Sequence, residues 1–195
     1  MGAKIRSGGF QLWAADAVSL SRVVLLVPLV WFMIVGSPWT MAVLAAIVAS
    51  DLLDGPIARR LGTGGSRGAL IDASCDVLVV MGAAIAAGLS DARYAGLAAV
   101  MAMAFLSYGA FSLIIGRFAY TRLGRYDGVV SYSVIAVASA KPLLAMIGVA
   151  VPPAAEWVFL CLSTLFLAIS TAENVAGIVG ETRKKESAAF ERGLS

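Results

Sequence analysis

The sequence predicts an all-α integral membrane protein with six transmembrane helices and a short N-terminal amphipathic helix in the membrane interface. Three observations predict this fold. First, 60% of the 195 residues are hydrophobic and only 14% are charged, with a mean hydropathy of +0.89, which is unusual for a soluble domain. Second, six apolar runs each approach the length of about 20 residues that crosses hydrocarbon. Third, Gly-, Pro- and Asp-containing turn signals separate those runs.

The predicted elements follow the apolar runs in order. Residues 1–16 combine Lys4 and Arg6 with apolar and aromatic residues, which predicts a helix lying in the interface, with a frayed tail as the alternative. Residues 183–195 are predicted to form a basic tail that meets anionic headgroups. We treat 1–195 as one membrane domain. The predicted spans are 18–36, 39–61, 67–90, 94–119, 128–150 and 154–179.

The distribution of arginine and lysine predicts the orientation of the chain. With the N-terminus inside, nearly all basic residues outside the spans fall on the cytoplasmic side, and the opposite loops carry only Arg93. Basic residues are enriched in cytoplasmic loops. We therefore expect both termini, and the loop between the second and third spans, at the cytoplasmic face of a bacterial or archaeal cell membrane.

Residue types that the sequence lacks exclude several chemistries. The chain contains no histidine, which excludes histidine general bases, histidine metal ligands and Ser-His-Asp triads. Cys75 and Cys161 are isolated in apolar segments, so they are predicted to pack as small side chains rather than to form a disulfide or a metal site.

Four aspartates lie in segments that are otherwise apolar enough to span a membrane. A carboxylate in hydrocarbon costs about 2.5–3.5 kcal/mol even on a lenient scale, so such a cluster marks a functional site. By helical spacing, Asp51 and Asp54 share one face of the second span, and Asp72 and Asp76 share one face of the third. Because a short Gly-rich turn joins these helices, we expect antiparallel neighbours whose aspartate faces converge near the cytoplasmic boundary.

The aspartate cluster predicts a metal site beside a phosphate-binding slot. Clustered carboxylates require cations, and oxygen-only ligands favour Mg²⁺ or Mn²⁺, here two ions. Gly55 and Ala58 leave room on the aspartate face, as does Gly68 on the next helix, and Arg59 lies where it can bind a phosphate. These features point to a diphosphate-containing substrate. The alternative is a structural ion-pair cluster of the aspartates with Arg59 and the neighbouring arginines.

The segment from Asp51 to Asp76 resembles the signature of the CDP-alcohol phosphatidyltransferase family, D-x2-D-G-x2-A-R-x8-G-x3-D-x3-D. All eight fixed positions are present at the right spacing. Members of that family have an amphipathic N-terminal helix followed by six spans. They often carry N-x2-T-x2-R at the start of the first span, where this chain has Asp16-x2-Ser19-x2-Arg22 and so replaces the Asn and the Thr.

The resemblance implies a reaction and a set of site residues. The donor would be a CDP-linked lipid, most often CDP-diacylglycerol, the acceptor a small hydroxyl compound, and the leaving group CMP. Asp76 would also act as the base for the acceptor hydroxyl, and the enzyme would be a homodimer. The residues implied to hold the metals are Asp51, Asp54, Asp72 and Asp76, and those implied to line the cytidine and diphosphate site are Gly55, Ala58, Arg59 and Gly68.

The acceptor is less well defined by the sequence. If it carries a phosphate, as glycerol 3-phosphate or inositol phosphate does, a cationic cluster of Arg117, Arg122 and Lys141 suits it. Lys141 lies well inside an apolar run, and Glu173 lies within the last span. A Lys141–Glu173 ion pair is therefore the alternative to an acceptor pocket.

A divalent-cation transporter is the competing function, because intramembrane carboxylates also mark ion pathways. The aspartates of this chain are predicted to lie at one membrane face, with no matching acidic set in the outer half. That distribution favours an enzyme. We expect membrane lipids, and no nucleic acid, among its partners.

Overall fold

A computed structural model describes the backbone of residues 5–61, 66–115 and 121–193, and the side chains of 20–52, 73–115, 121–183 and 187. Within these ranges the chain is helical and contains no strand, which confirms the predicted all-α class. Short 3-10 turns precede the fourth and fifth α-helices. The α-helices are α1 (Ile5–Val35), α2 (Trp39–Leu61), α3 (Ser66–Ser90), α4 (Ala95–Ile115), α5 (Asp127–Met146) and α6 (Pro153–Gly193).

Four segments of the described chain are long and apolar enough to cross a membrane, and two further apolar segments are shorter. The protein is therefore a membrane protein with at least four candidate spans in the described part, and its six-span arrangement stays a prediction. The four long segments are Ala73–Ser90, Ala92–Ile115, Gly124–Met146 and Pro153–Arg183, and the two shorter ones are Leu20–Val35 and Trp39–Leu52.

Two predicted boundaries differ from the observed helices. The expected interfacial segment 1–16 does not form a separate helix, because α1 runs without a break from Ile5 to Val35. The expected tail continues α6 to Gly193. Residues 181–192 are rich in Glu, Lys, Arg and Ala, which have high helix propensity, so the helix extends beyond the apolar run.

Two glycines end helices in the left-handed conformation. Gly36 has φ +70° and Gly148 has φ +76°. After α1, the Ser37 N–H bonds the Phe32 carbonyl at 2.9 Å, and after α5 the Val149 N–H bonds the Leu144 carbonyl at 2.9 Å. Both ends are thus Schellman motifs, which explains why α5 stops at residue 146 rather than at the predicted 150.

The chain divides into two compact units. Unit 1 comprises Met1–Ala92 and Ile135–Val151, and in it α1 packs against both α2 and α3. α3 lies close to α1 at Gly82, where a Cβ atom would lie 2.9 Å from both terminal methyl carbons of Leu26. The core of unit 1 includes Leu29 and Met33 of α1, Leu44 and Ile47 of α2, and Val79, Val80, Ala83 and Ala86 of α3.

Unit 2 comprises Arg93–Val134 and Pro152–Ser195, and in it α4 packs against α6. A Cβ atom at Gly177 would lie 2.6 Å from Phe111 Cε2, so a larger residue here would require the Phe111 ring or the helices to shift. The core of unit 2 includes Leu97, Met101, Ala104 and Phe111 of α4, and Leu160 and Leu167 of α6.

The surface of the described chain differs from that of a soluble protein. Large apolar side chains lie outside, with Val27 72% and Leu113 83% exposed, whereas small and polar residues such as Ala83, Ser131 and Asn174 are fully buried. Lipid tails solvate an apolar surface, and small or hydrogen-bonding residues mediate contacts between transmembrane helices. This pattern supports the membrane location independently of helix length.

Candidate active site

Three helices of unit 1 meet at one buried arginine. Arg22 of α1 donates from the same nitrogen, Nη1, to Oδ1 of Asp51 on α2 at 2.8 Å and to Oδ1 of Asp76 on α3. The Arg22 side chain is fully buried, whereas those of Asp51 and Asp76 are 41% and 33% exposed. The carboxylates therefore have one side against the arginine and another side open.

The contact with two carboxylates explains how a guanidinium can be buried in this bundle. Removing a charge from water costs several kcal/mol, which is offset only when the partner geometry is good. Arg22 has a partner on each of the two helices that α1 contacts. The ion pairs also bring the first and last aspartates of the motif to one atom, Arg22 Nη1, whereas the convergence of all four aspartates stays a prediction.

The remaining motif residues lie on the same helices. Asp54 follows Asp51 by three positions in α2, and Asp72 precedes Asp76 by four in α3, so each pair shares a helix face. Gly55, Ala58 and Arg59 lie further along α2, and Gly68 lies in the first turn of α3. The side chains of residues 53–72 are outside the described part, so their roles stay predictions, as does the alternative pairing with Arg59, Arg60 and Arg67.

The donor chemistry of the described carboxylates fits a hard divalent cation. Asp51 and Asp76 supply carboxylate oxygens from two helices, and the chain has no histidine. Oxygen ligands of this kind suit Mg²⁺ or Mn²⁺. Among the side chains that the structure describes, no three acidic, Cys or His residues form a metal-binding group, but this set does not include those of Asp54 and Asp72.

Arg22 is the residue of this cluster whose contacts were not predicted from the sequence. It stands at the arginine position of the Asp16-x2-Ser19-x2-Arg22 pattern in the first span. The sequence feature that could have indicated its role is a single arginine within an apolar run, in a chain that also has a cluster of intramembrane acids. The sequence did not tell which arginine pairs with which aspartate, because that depends on how α1 packs.

A second polar cluster lies in unit 2 and fixes the turn before α5. Asn174 of α6 is fully buried. Its Nδ2 donates to Ser107 Oγ at 3.2 Å, and its Oδ1 accepts from Thr121 Oγ1 at 2.7 Å. Thr121 Oγ1 in turn accepts from the Gly124 N–H at 3.2 Å. One α6 side chain thus connects α4 to the turn.

Two acids of this cluster have their own partners. Glu173 accepts hydrogen bonds from the Arg122 and Leu123 N–H groups at 3.1 and 2.9 Å. Asp127, which is buried, accepts from Ser170 Oγ at 2.9 Å through Oδ2. These contacts hold the first residue of α5 and the turn before it against α6.

The alternative ion pair between Lys141 and Glu173 does not match the contacts that the structure gives for these residues. Lys141 Nζ contacts Asp91 Oδ2 at 2.8 Å within unit 1, whereas Glu173 bonds the backbone next to the start of α5. Lys141 is 14 residues beyond Asp127 in α5, a rise of about 21 Å along the helix.

Two of the three predicted acceptor residues, Arg122 and Lys141, belong to different units of the chain. The Arg122 side chain is exposed at the turn before the helix, and the neighbouring Arg125 lies 4.9 Å above the Tyr126 ring. Lys141 lies near the other end of α5, in its ion pair. Arg117 falls outside the described residues.

Comparison with known protein families agrees with the motif and the helical fold. The family model for CDP-alcohol phosphatidyltransferases matches residues 12–176, which is most of the chain. The chain belongs to the CDP-alcohol phosphatidyltransferase family. A search of curated proteins found no match.

Membership of the CDP-alcohol phosphatidyltransferase family establishes a general activity class. It supports a membrane transferase that moves a phosphate-containing group from a CDP-alcohol to an acceptor in phospholipid synthesis. The family is generally dependent on divalent metals. The matched range contains Arg22, the whole Asp51–Asp76 motif and the polar cluster around Asn174, so the match extends over parts of both units.

Proposed function

We propose that this protein transfers a substituted phosphate group from CDP-diacylglycerol to the hydroxyl of a small acceptor and releases CMP. The observation that carries the proposal is the pair of carboxylates, Asp51 and Asp76, held from two helices by one buried arginine. In a family of CDP-alcohol transferases, partly exposed carboxylates at this point of the motif have the chemistry of a phosphoryl-transfer site.

The proposed metal ligands are Asp51, Asp54, Asp72 and Asp76, which would hold two Mg²⁺ or Mn²⁺ ions. When bound, such ions neutralise a diphosphate and stabilise charge on the transferring group. The carboxylate chemistry and partial exposure of the first and last members support this assignment.

The other proposed residues bind the donor and move a proton. Gly55, Ala58 and Gly68 leave space for the cytidine and diphosphate, and Arg59 binds the phosphates. Asp76 accepts the proton of the acceptor hydroxyl. The hydroxyl oxygen bonds to the phosphorus that carries the lipid, and the bond from that phosphorus to the bridging oxygen breaks. CMP leaves with that oxygen.

We propose a phosphorylated polyol, such as glycerol 3-phosphate or inositol phosphate, as the acceptor. Arg117 and Arg122 are the residues assigned to its phosphate. The exposed Arg122 side chain, next to backbone fixed by Glu173, supports this assignment. Lys141 is left out because its ammonium is engaged by Asp91.

The proposed setting is a six-span homodimer in a bacterial or archaeal cell membrane, with both termini and the active site on the cytoplasmic side. The excess of basic residues outside the predicted spans on that side supports the orientation. The dimer is proposed from family resemblance. The same resemblance favours the transferase over the cation transporter.

The proposal is tested by measuring CMP release from CDP-diacylglycerol labelled in the cytidine. Purified protein in detergent is supplied with Mn²⁺ or Mg²⁺ and a panel of hydroxyl acceptors with and without phosphate. We expect CMP only when metal and a suitable acceptor are both present. Absence of CMP with every acceptor, together with Mn²⁺ flux in liposomes, would support the transporter instead.

A matched pair of variants separates the proposed catalytic aspartate from a general effect of losing a carboxylate. Asp76→Asn is expected to abolish turnover while CDP-diacylglycerol binding is largely retained. Asp91→Asn makes the same change in the ion pair with Lys141 and is expected to keep CMP release. Loss of donor binding in Asp76→Asn would indicate that Asp76 is chiefly a metal ligand.

A further inference from the structure

Arg22 presents an electrostatic problem for a metal site. Its Nη1 atom contacts both the first and the last aspartate of the motif, and its side chain is completely buried. The guanidinium keeps its proton, because arginine is not deprotonated in proteins. A fixed positive charge therefore lies beside the carboxylates whether or not other cations are bound.

The charge balance shows what this arginine changes, on the basis of the proposed function. Four ionised aspartates and two divalent ions cancel each other. With Arg22 the loaded site has one positive charge in excess, and a diphosphate group brings the negative charge that compensates it. Without ions, Arg22 gives Asp51 and Asp76 a cationic partner.

We propose that Arg22 is a resident counter-cation that occupies the metal-binding carboxylates, weakens their binding of Mn²⁺ or Mg²⁺ alone, and makes metal binding depend on the diphosphate group of the donor. Coupling of this kind is reciprocal, so the metal must strengthen diphosphate binding by the same factor. Arg22 thus acts on the reaction through Asp51 and Asp76 and is a positioning residue.

Removing the guanidinium has two opposing effects on metal binding, and the packing of α1 against α3 indicates which of them is larger. Loss of its hydrogen bonds would free the carboxylates and weaken metal binding, but loss of its charge would strengthen it. The backbone of α3 is held against α1 by the close approach at Gly82 and by the Ser90 Oγ bond to the Met33 carbonyl at 2.9 Å. Because these contacts do not involve Arg22, we expect the electrostatic effect to dominate.

The test is a titration of the purified full-length protein with Mn²⁺ alone, followed by the electron paramagnetic resonance signal of free Mn²⁺. Arg22→Gln is expected to bind Mn²⁺ at least tenfold more tightly than the wild type. Arg22→Lys keeps the charge and is expected to stay within about threefold of the wild type. Arg93→Gln removes a cation from the Arg93–Glu156 pair of unit 2 and is expected to change nothing.

A second measurement keeps the inference testable if Arg22→Gln does not fold. The wild type is titrated with Mn²⁺ in the presence of CDP, corrected for Mn²⁺ bound by CDP in a protein-free control. We expect CDP to tighten Mn²⁺ binding at least tenfold in the wild type. Where Arg22→Gln can be purified, the enhancement by CDP is expected to be smaller in that variant.

The outcomes distinguish this inference from the proposed function. Equal or weaker Mn²⁺ binding by Arg22→Gln, or no effect of CDP on the wild type, would overturn the counter-cation role while leaving the transferase proposal intact. No Mn²⁺ binding by the wild type with or without CDP would overturn both the metal assignment and this inference. Acceptor-dependent CMP release tests the transferase proposal separately.

Discussion

The hydrogen bonds of Asn174 allow a quantitative prediction about unit 2. Replacing Asn174 by Ala removes the bond to Ser107 Oγ at 3.2 Å and the bond from Thr121 Oγ1 at 2.7 Å. Side-chain hydrogen bonds between membrane helices contribute about 0.6 kcal/mol on average and up to about 1.7 kcal/mol. The two bonds together therefore account for about 1–2 kcal/mol of the free energy of unfolding, to which the cavity left by the amide adds.

Double-mutant cycles measure each bond separately. Asn174→Ala is combined with Ser107→Ala in one cycle and with Thr121→Val in the other, and unfolding is followed in mixed micelles. Because the Thr121 bond is the shorter one, we expect a larger coupling energy for it than for Ser107. The control Ser133→Ala removes an exposed hydroxyl that bonds only within its own helix, and should change stability by less than about 0.5 kcal/mol.

The double-mutant cycles can also contradict the proposed hydrogen bonds of Asn174. If both cycles are additive within error while all variants fold, Asn174 does not make these bonds and the turn before α5 is held by other groups. A coupling with Ser107 alone would place Asn174 between α4 and α6 without a role in the turn.

Two further predictions concern packing and charge. Gly177→Ala places a Cβ atom 2.6 Å from Phe111 Cε2 and is expected to lower stability by about 1–3 kcal/mol. The matched Gly180→Ala meets no atom within 4 Å and is expected to raise it by up to about 1 kcal/mol; thermal unfolding of both variants checks the pair, and equal effects would contradict the close approach. The Lys141–Asp91 pair is partly exposed, so Lys141→Met is expected to lower the free energy of unfolding by at most about 1 kcal/mol. The KM for a phosphorylated acceptor is expected to stay unchanged. A large rise in that KM would indicate that Lys141 binds the acceptor.

Helix positions were largely predictable from the sequence, and the differences have local causes. The second span was predicted at 39–61, which is the extent of α2, because apolar length and turn residues determine such boundaries. The end of α6 was not predicted, because polar helix formers continue a helix without adding to an apolar run. The start of α1 was not predicted either, because Gly8 and Gly9 favour an interruption there that the helix does not have. The end of α5 depends on Gly148, whose positive φ was not evident from composition.

The motif was predictable as a set of helix faces, but its ion pairs were not. The spacing of Asp51 and Asp76 relative to the other aspartates follows from helical periodicity. Their contact with Arg22 requires the packing of α1 on α2 and α3, which links residues far apart in sequence. The ion pair of Lys141 could not be predicted for the same reason, because its partner Asp91 is 50 positions away in the sequence.

We propose that the site formed by the Asp51–Asp76 motif transfers a lipid-linked phosphate from a CDP-lipid to an alcohol. The most direct test measures CMP and the lipid product together, with Mn²⁺ and phosphorylated acceptors, for the wild type and Asp76→Asn. We predict one CMP released per lipid product in the wild type, only when acceptor is present, and neither product from Asp76→Asn. If Asp76→Asn forms as much CMP and lipid product as the wild type, Asp76 is not the group that accepts the proton. If the wild type releases CMP without forming any lipid product, the proposed transfer is contradicted.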